Sequence, residues 1–210
     1  MEKRVHYAHS NSYSTLNDPA AADSSIWMAF HGMGHLSRYF IRHFQGLDPN
    51  QHYIIAPQAP SKYYQGSEYK HVGACWLTRD DTVNETANVL SYVETVWETE
   101  SIRPYNKKIV LGYSQGVSIA MRWLAKYRHN CDVLILHSGG LPKELTPEQF
   151  DHLGEDTSVQ LWYGKEDPYL NAKRMEEETD RAKRLFGQRL QLVAFDGGHH
   201  VNEGLIKALG

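Results

Sequence analysis

Ser114 stands in the run Gly112-Tyr113-Ser114-Gln115-Gly116, between an apolar stretch ending at Tyr113 and the amphipathic stretch VSIAMRWLAKY. A serine hydroxyl performs acyl transfer when a sharp strand-to-helix turn lifts it above a sheet. In such a turn, bulk two positions before or after the serine would strike neighbouring backbone, so glycine is needed at both. The helix that follows offers a free backbone N–H, that of Gln115, and a positive dipole end beside the reacting carbon. Ser114 is therefore the candidate nucleophile and Gln115 a candidate oxyanion donor.

A serine hydroxyl is a poor nucleophile at neutral pH and needs a histidine base, itself held by a carboxylate. The chain has 12 histidines, so position must choose among them. The last apolar run ends in Asp196-Gly197-Gly198-His199-His200, a glycine loop that carries histidine toward the Ser114 side. His199 is the expected base, with His200 as its competitor. The run QLWYG leads into Lys165-Glu166-Asp167-Pro168, where Asp167 lies in a turn whose exit the proline directs. Asp167 is the expected carboxylate; Glu166 is less favoured, and Asp196 reads as a strand-end cap. A second oxyanion donor is needed from the loop after the first long apolar run, IWMAF. There His31-Gly32-Met33-Gly34 would turn the Met33 N–H toward the site. His31 and His35 stand four apart, but helical spacing means little in a glycine-broken loop without Cys or carboxylate, so no metal is expected. No cofactor is implied.

These residues need a scaffold. Short apolar runs occur at Ile26–Phe30, Tyr53–Ala56, Lys108–Tyr113, Val133–His137, Gln160–Gly164 and Leu190–Phe195. Helical patterns lie between them at Leu36–Phe44, Thr82–Glu98, Gln115–Tyr127, Ala172–Phe186 and Glu203–Leu209. The alternation predicts βαβ units: an α/β fold with a mostly parallel central sheet and helices on both faces. In such sheets ligands sit beyond the carboxyl ends of the strands, where all the residues above fall. The first stretch, Arg4 to Asn17, alternates loosely around Ser10-Asn11-Ser12 and predicts a hairpin. The segment 57–81 is the longest irregular stretch and reads as a binding loop or a sheet-edge cover. Its Tyr63, Tyr64, Tyr69 and Trp76 could wall a substrate pocket. His137, at the end of VLILH, either lines the site or packs beneath it.

With 210 residues and 41% hydrophobic content, the chain is expected to form one domain over residues 1–210. Net charge is −3 and the basic residues are scattered, so nucleic acid is not an expected partner. No apolar run reaches the roughly 20 residues of a membrane span, and the N-terminus lacks a signal-peptide core. A cytoplasmic location is expected. Cys75 and Cys131 form no CxxC pair and are expected as reduced, packed thiols. Oligomeric state is not encoded in any pattern of the sequence.

Taken together, FHGMG, APQAP, Trp76, LGYSQG, LHSGGLP, YGKEDP and FDGGHH resemble the phospholipase/carboxylesterase family. These are small cap-less α/β-hydrolases that include acyl-protein thioesterases and bacterial carboxylesterases. The resemblance implies Ser114, Asp167 and His199 as a triad, with Met33 and Gln115 as oxyanion donors. It departs at Val117, where members commonly carry another glycine. The expected activity is hydrolysis of a small-molecule ester or thioester, with carboxylesterase preferred over thioesterase or lysophospholipase because no insertion is long enough for a cap. A non-catalytic binding protein on the same scaffold is the competing class, disfavoured because all three triad positions are filled. A dinucleotide-binding protein would need a G-x-G-x-x-G turn after its first strand, and none is there.

Overall fold

The run Ser25–Phe30 (β2) is buried at every position, which a strand can sustain only with cover on both of its faces. The computed structural model describes residues 1, 3–19, 23–101 and 103–210. Its main sheet has seven strands. Tyr13–Leu16 (β1) comes first, then His52–Pro57 (β3), β2, Lys107–Tyr113 (β6), Val133–His137 (β7), Ser158–Gly164 (β8) and Leu190–Phe195 (β9). All neighbours are parallel except β1, which runs antiparallel to β3 at one edge. A separate antiparallel pair, Ser61–Gln65 (β4) and His71–Cys75 (β5), stands beside it.

Side-chain alternation along the strands creates two cores. Ile26, Met28 and Phe30 share one core with Val93, Trp97, Ile119, Trp123 and Leu185. These belong to helices Thr82–Glu100 (α2), Gln115–Tyr127 (α3) and Ala172–Phe186 (α4). Trp27 and Ala29 share the other core with Phe40, Phe44 and Ile206. Those come from the short helix Ser37–Phe40 (α1), the 3₁₀ turn Ile41–Phe44 and the helix Glu203–Lys207 (α5). Asn171 and Asn202 cap α4 and α5, accepting from the Arg174 and Leu205 N–H groups at 3.0 Å and 2.9 Å.

The register carries the functional consequence. Phe30 pairs with Gly112, Tyr113 with His137, His137 with Trp162, and Gly164 with Phe195. Five strands therefore end within about three residues of one another, and their following loops open on one rim.

The parallel sheet and its flanking helices agree with expectation; three local expectations do not. Residues 4–12 form no strand, so there is no N-terminal hairpin; only Tyr13–Leu16 is extended, because β3 offers its open edge there. The segment 57–81 is not irregular throughout: it folds into β4 and β5, whose residues Ser61–Gln65 are all exposed and so lack the apolar alternation that marks a strand. The helix expected over Leu36–Phe44 splits into α1 and a 3₁₀ turn, too short for a steady 3.6 period. No helix among the described residues is long and apolar enough to cross a membrane.

Ile135, on the interior strand β7, is fully buried, whereas Val83 is 88% exposed. Ile135→Ala should cost about 2–5 kcal/mol in a denaturant melt, and Val83→Ala no more than about 0.5 kcal/mol.

Candidate active site

Ser114 closes β6 and opens α3 with φ 53° and ψ −118°, a conformation that L side chains rarely adopt. Tight packing holds it there. A Cβ on Gly112 would lie 2.5 Å from the Val117 Cα, and one on Gly116 would overlap the Phe30 carbonyl. The Ser114 N–H donates to the His137 carbonyl at 2.8 Å, and the Val117 N–H to the Ser114 carbonyl at 3.1 Å. Val117, the departure noted in the sequence, is fully buried, and its side chain fills the space where a Cβ on Gly139 would stand.

The loop after β9 brings His199 to this turn. Its Nε2 is 2.9 Å from the Ser114 Oγ, and its Nδ1 is 2.7 Å from the Asp167 Oδ2. Asp167 is buried; its Oδ1 accepts from the Tyr169 N–H at 2.9 Å. With Nδ1–H donated to the carboxylate, Nε2 is left to accept from the serine hydroxyl. The imidazole is also braced: the Tyr113 hydroxyl donates to the His199 carbonyl at 3.1 Å, and the Tyr169 ring stands edge-on, centroids 4.8 Å apart. The competitors are elsewhere. His200 is exposed and turned to Phe195, Asp196 pairs with Lys165 at 2.7 Å, and Glu166 is exposed.

Gly32 reaches the serine directly, since a Cβ there would meet the Ser114 Cβ at 3.1 Å. Met33 follows at the rim. Among the described residues, neither the Met33 nor the Gln115 N–H has a protein acceptor, which leaves both free for an oxyanion. The Gln115 side chain, which sequence reasoning passed over, clamps the segment after β5: its Nε2 donates to the Leu77 carbonyl at 2.7 Å, and its Oε1 accepts from the Trp76 N–H at 2.8 Å. Its only signal was an amide in the first turn of a helix, where polar side chains are ordinary.

The three pocket candidates fare differently from one another. Trp76 is 1% exposed, and its indole N–H donates to the His31 carbonyl at 2.7 Å. It supports the loop from behind instead of facing substrate. His137 is fully buried beneath the site, its Nε2 accepting from the Asn202 N–H at 3.0 Å. Burial thus corrects the pocket reading of Trp76 and, of the two readings of His137, leaves the one that packs beneath the site. Tyr64 stands exposed on β4, edge-on to Tyr69 at 5.3 Å.

His31 is committed to backbone: Nδ1 lies 2.8 Å from the Gly32 carbonyl, and Nε2 accepts from the Ala59 N–H at 3.0 Å. Burial drives its pKa down to about 4 and that of His137 to about 3. Both rings are thus neutral dipoles at neutral pH. Cys75 and Cys131 are free and buried, and burial pushes the Cys131 thiol up to about 12.

A parallel sheet with this elbow, covered on both faces and without an inserted cap, is the α/β-hydrolase fold. Residues 11–207 match the Phospholipase/Carboxylesterase family, and the chain belongs to it. No curated protein matches in sequence. Solved structures share the fold. Zea mays acyl-protein thioesterase 2 superposes with a TM-score of 0.68 at 19% identity, covering 95% of this chain and 98% of that one. The Bacillus cereus carboxylesterase gives 0.66 at 14% identity, covering 95% and 91%. A phospholipase/carboxylesterase from Dyadobacter fermentans gives 0.64 at 20% identity, covering 98% and 97%.

Gly116→Ala should cost at least about 2 kcal/mol, because a methyl there must displace the Phe30 backbone. The neutral buried histidines predict a pH dependence. Their folded pKa values lie below the unfolded value of about 6.5, so the unfolded chain binds more protons as pH falls. Stability from this source is complete above about pH 6.5 and is lost as pH drops toward about 4. Calorimetry over that range should show a falling Tm, with a shallower acid slope in His137→Gln.

Proposed function

We propose that the protein is a carboxylesterase that cleaves small carboxylic esters through an acyl-enzyme on Ser114. The observation that carries the reading is the continuous relay from the Ser114 Oγ to the His199 Nε2 at 2.9 Å and from the His199 Nδ1 to Asp167 at 2.7 Å. Membership of an ester-hydrolysing family supports it.

In this mechanism the serine oxygen attacks the ester carbonyl carbon while its proton passes to the His199 Nε2. Asp167 holds the imidazole in the required tautomer and stabilises the imidazolium that forms. The carbonyl oxygen, now an alkoxide, receives the Met33 and Gln115 N–H groups. As the tetrahedral adduct collapses, the oxyanion reforms the carbonyl, the C–O bond to the leaving group breaks, and the departing alcohol oxygen takes the proton from Nε2. Water then enters, gives a proton to His199 and attacks the acyl carbon; the second adduct collapses by breaking the bond to the Ser114 Oγ, which takes the proton back from Nε2 as the acid leaves. No step calls for a cofactor.

The hairpin β4–β5, exposed along β4 and tied to the Met33 loop through Gln65 and Gly34, is too short to form a cap, and this openness favours small or solvent-exposed esters. Acyl thioesterase activity is the alternative within the same chemistry, since the acyl-enzyme is common to both. The two free cysteines suit a reducing, cytoplasmic setting.

Wild-type protein should release nitrophenol from short 4-nitrophenyl esters. Ser114→Ala should lower kcat/KM by about four orders of magnitude or more, and it should no longer take up a fluorophosphonate probe. Undiminished turnover by that variant would leave the mechanism without its nucleophile. A panel of matched esters and thioesters ranks the two activities: a thioester preference would replace the carboxylesterase reading with the alternative.

A further inference from the structure

A cleft of about 430 Å³ opens beside the loop that carries Met33, bounded by the start of α1 on one side and the β4–β5 hairpin on the other. Gly34 and His35 belong to that loop and line the cleft. A Cβ on Gly32 would meet the Ser114 Cβ at 3.1 Å, and two residues of chain span at most about 7 Å, so the Gly34 edge of the cleft lies within about 7 Å of the residue that packs on the serine. The hairpin wall is tied to the loop: the Gln65 Nε2 donates to the Gly34 carbonyl and the Gly34 N–H to the Ala74 carbonyl, both at 2.8 Å.

The lining is one-sided in charge. Arg38 and Lys70 face it together with His35, His43 and His71, and among the described residues no Asp or Glu does; burial lowers the pKa of His35, so the fixed positive charge is that of Arg38 and Lys70. Two of these are offset from outside the lining, His43 by Glu203 and Lys70 by Glu68, each at 2.7 Å. Arg38 is not: among the described residues neither it nor Arg42, one turn on, enters an ion pair. Both guanidinium groups instead lie over the Tyr39 ring, 5.1 Å and 5.0 Å from its centroid. A guanidinium held by an aromatic face keeps its donors pointed outward with less rotamer freedom to lose on binding.

We propose that this cleft is a subsite for an anionic group of the substrate, a carboxylate borne several bonds from the scissile carbonyl, with Arg38 as its principal partner. The chemical class is then esters of dicarboxylic or hydroxycarboxylic acids. Apolar Leu36, Phe40 and Val72 in the same lining take the methylene spacer, and the guanidinium fork takes the carboxylate. This rests on the esterase reading of Ser114.

Two matched pairs test it. Mono-4-nitrophenyl glutarate against its methyl ester puts the charge on the acyl side. 4-Butyryloxybenzoate against its methyl ester puts it on the alcohol side. The readout is the ratio of kcat/KM, charged over neutral, in each pair. In one pair, Arg38→Ala should lower that ratio by about tenfold and Arg38→Glu further, while Arg38→Lys retains most of it. Salt at about 0.5 M should shrink the wild-type ratio. Lys126→Ala, an exposed cation at the far end of α3, should leave it as in wild type. A ratio unmoved by Arg38→Ala and Arg38→Glu in both pairs overturns the subsite. If the neutral esters are still cleaved in a Ser114-dependent way, the esterase reading survives that result. If no ester is cleaved and Ser114 takes no fluorophosphonate, both fall together.

Discussion

The contact on which the rest depends is the one between the Gly116 backbone and the Phe30–His31 backbone across the end of the sheet. A methyl group cannot be inserted there, and that closeness drives the chain at Ser114 into a positive φ. Such a conformation costs on the order of 1–3 kcal/mol and persists only where surrounding packing overdetermines it. Here the packing comes from three directions: Gly112 against the first turn of α3, the Ser114 N–H on the His137 carbonyl, and Val117 pressed into the space at Gly139. The serine stays partly accessible because its neighbours are closely packed.

The same junction organises the rim. Trp76 holds the His31 carbonyl and Gln115 holds the segment 75–77, so the first strand loop, the elbow and the hairpin connection form one hydrogen-bonded unit. The histidine loop is pinned at its middle and at its end in a similar way. The Tyr113 hydroxyl holds the His199 carbonyl, and His137 takes the Asn202 N–H at the start of α5. An imidazole carried on a glycine loop is thereby placed to within hydrogen-bond tolerance on a rigid base.

Burial settles the electrostatics of this base. His31 and His137 lie so deep that the charged form is excluded near neutral pH, and each is used at both nitrogens as a neutral hydrogen-bonding ring. They orient backbone without placing a positive charge beside His199. Arg38 and Arg42, without an ion-pair partner among the described residues, stand farther out, on α1 and the 3₁₀ turn that follows it.

Local chemistry was legible in the sequence wherever one residue type alone satisfies a backbone demand or a reaction. The glycines around Ser114, the order of serine, aspartate and histidine, and the alternation of buried runs with helical periods are such cases. They were enough for the parallel sheet and for the residues that converge on its rim. Tyr13–Leu16 and the hairpin Ser61–Cys75 were not legible, because an edge strand and an exposed ribbon take their shape from an available partner and carry no periodic apolar signal. The places of Trp76 and His137 were decided only by tertiary structure. Whether an aromatic or a histidine faces substrate or supports a loop from beneath depends on which side of the sheet rim it is buried, and a linear sequence does not contain that depth.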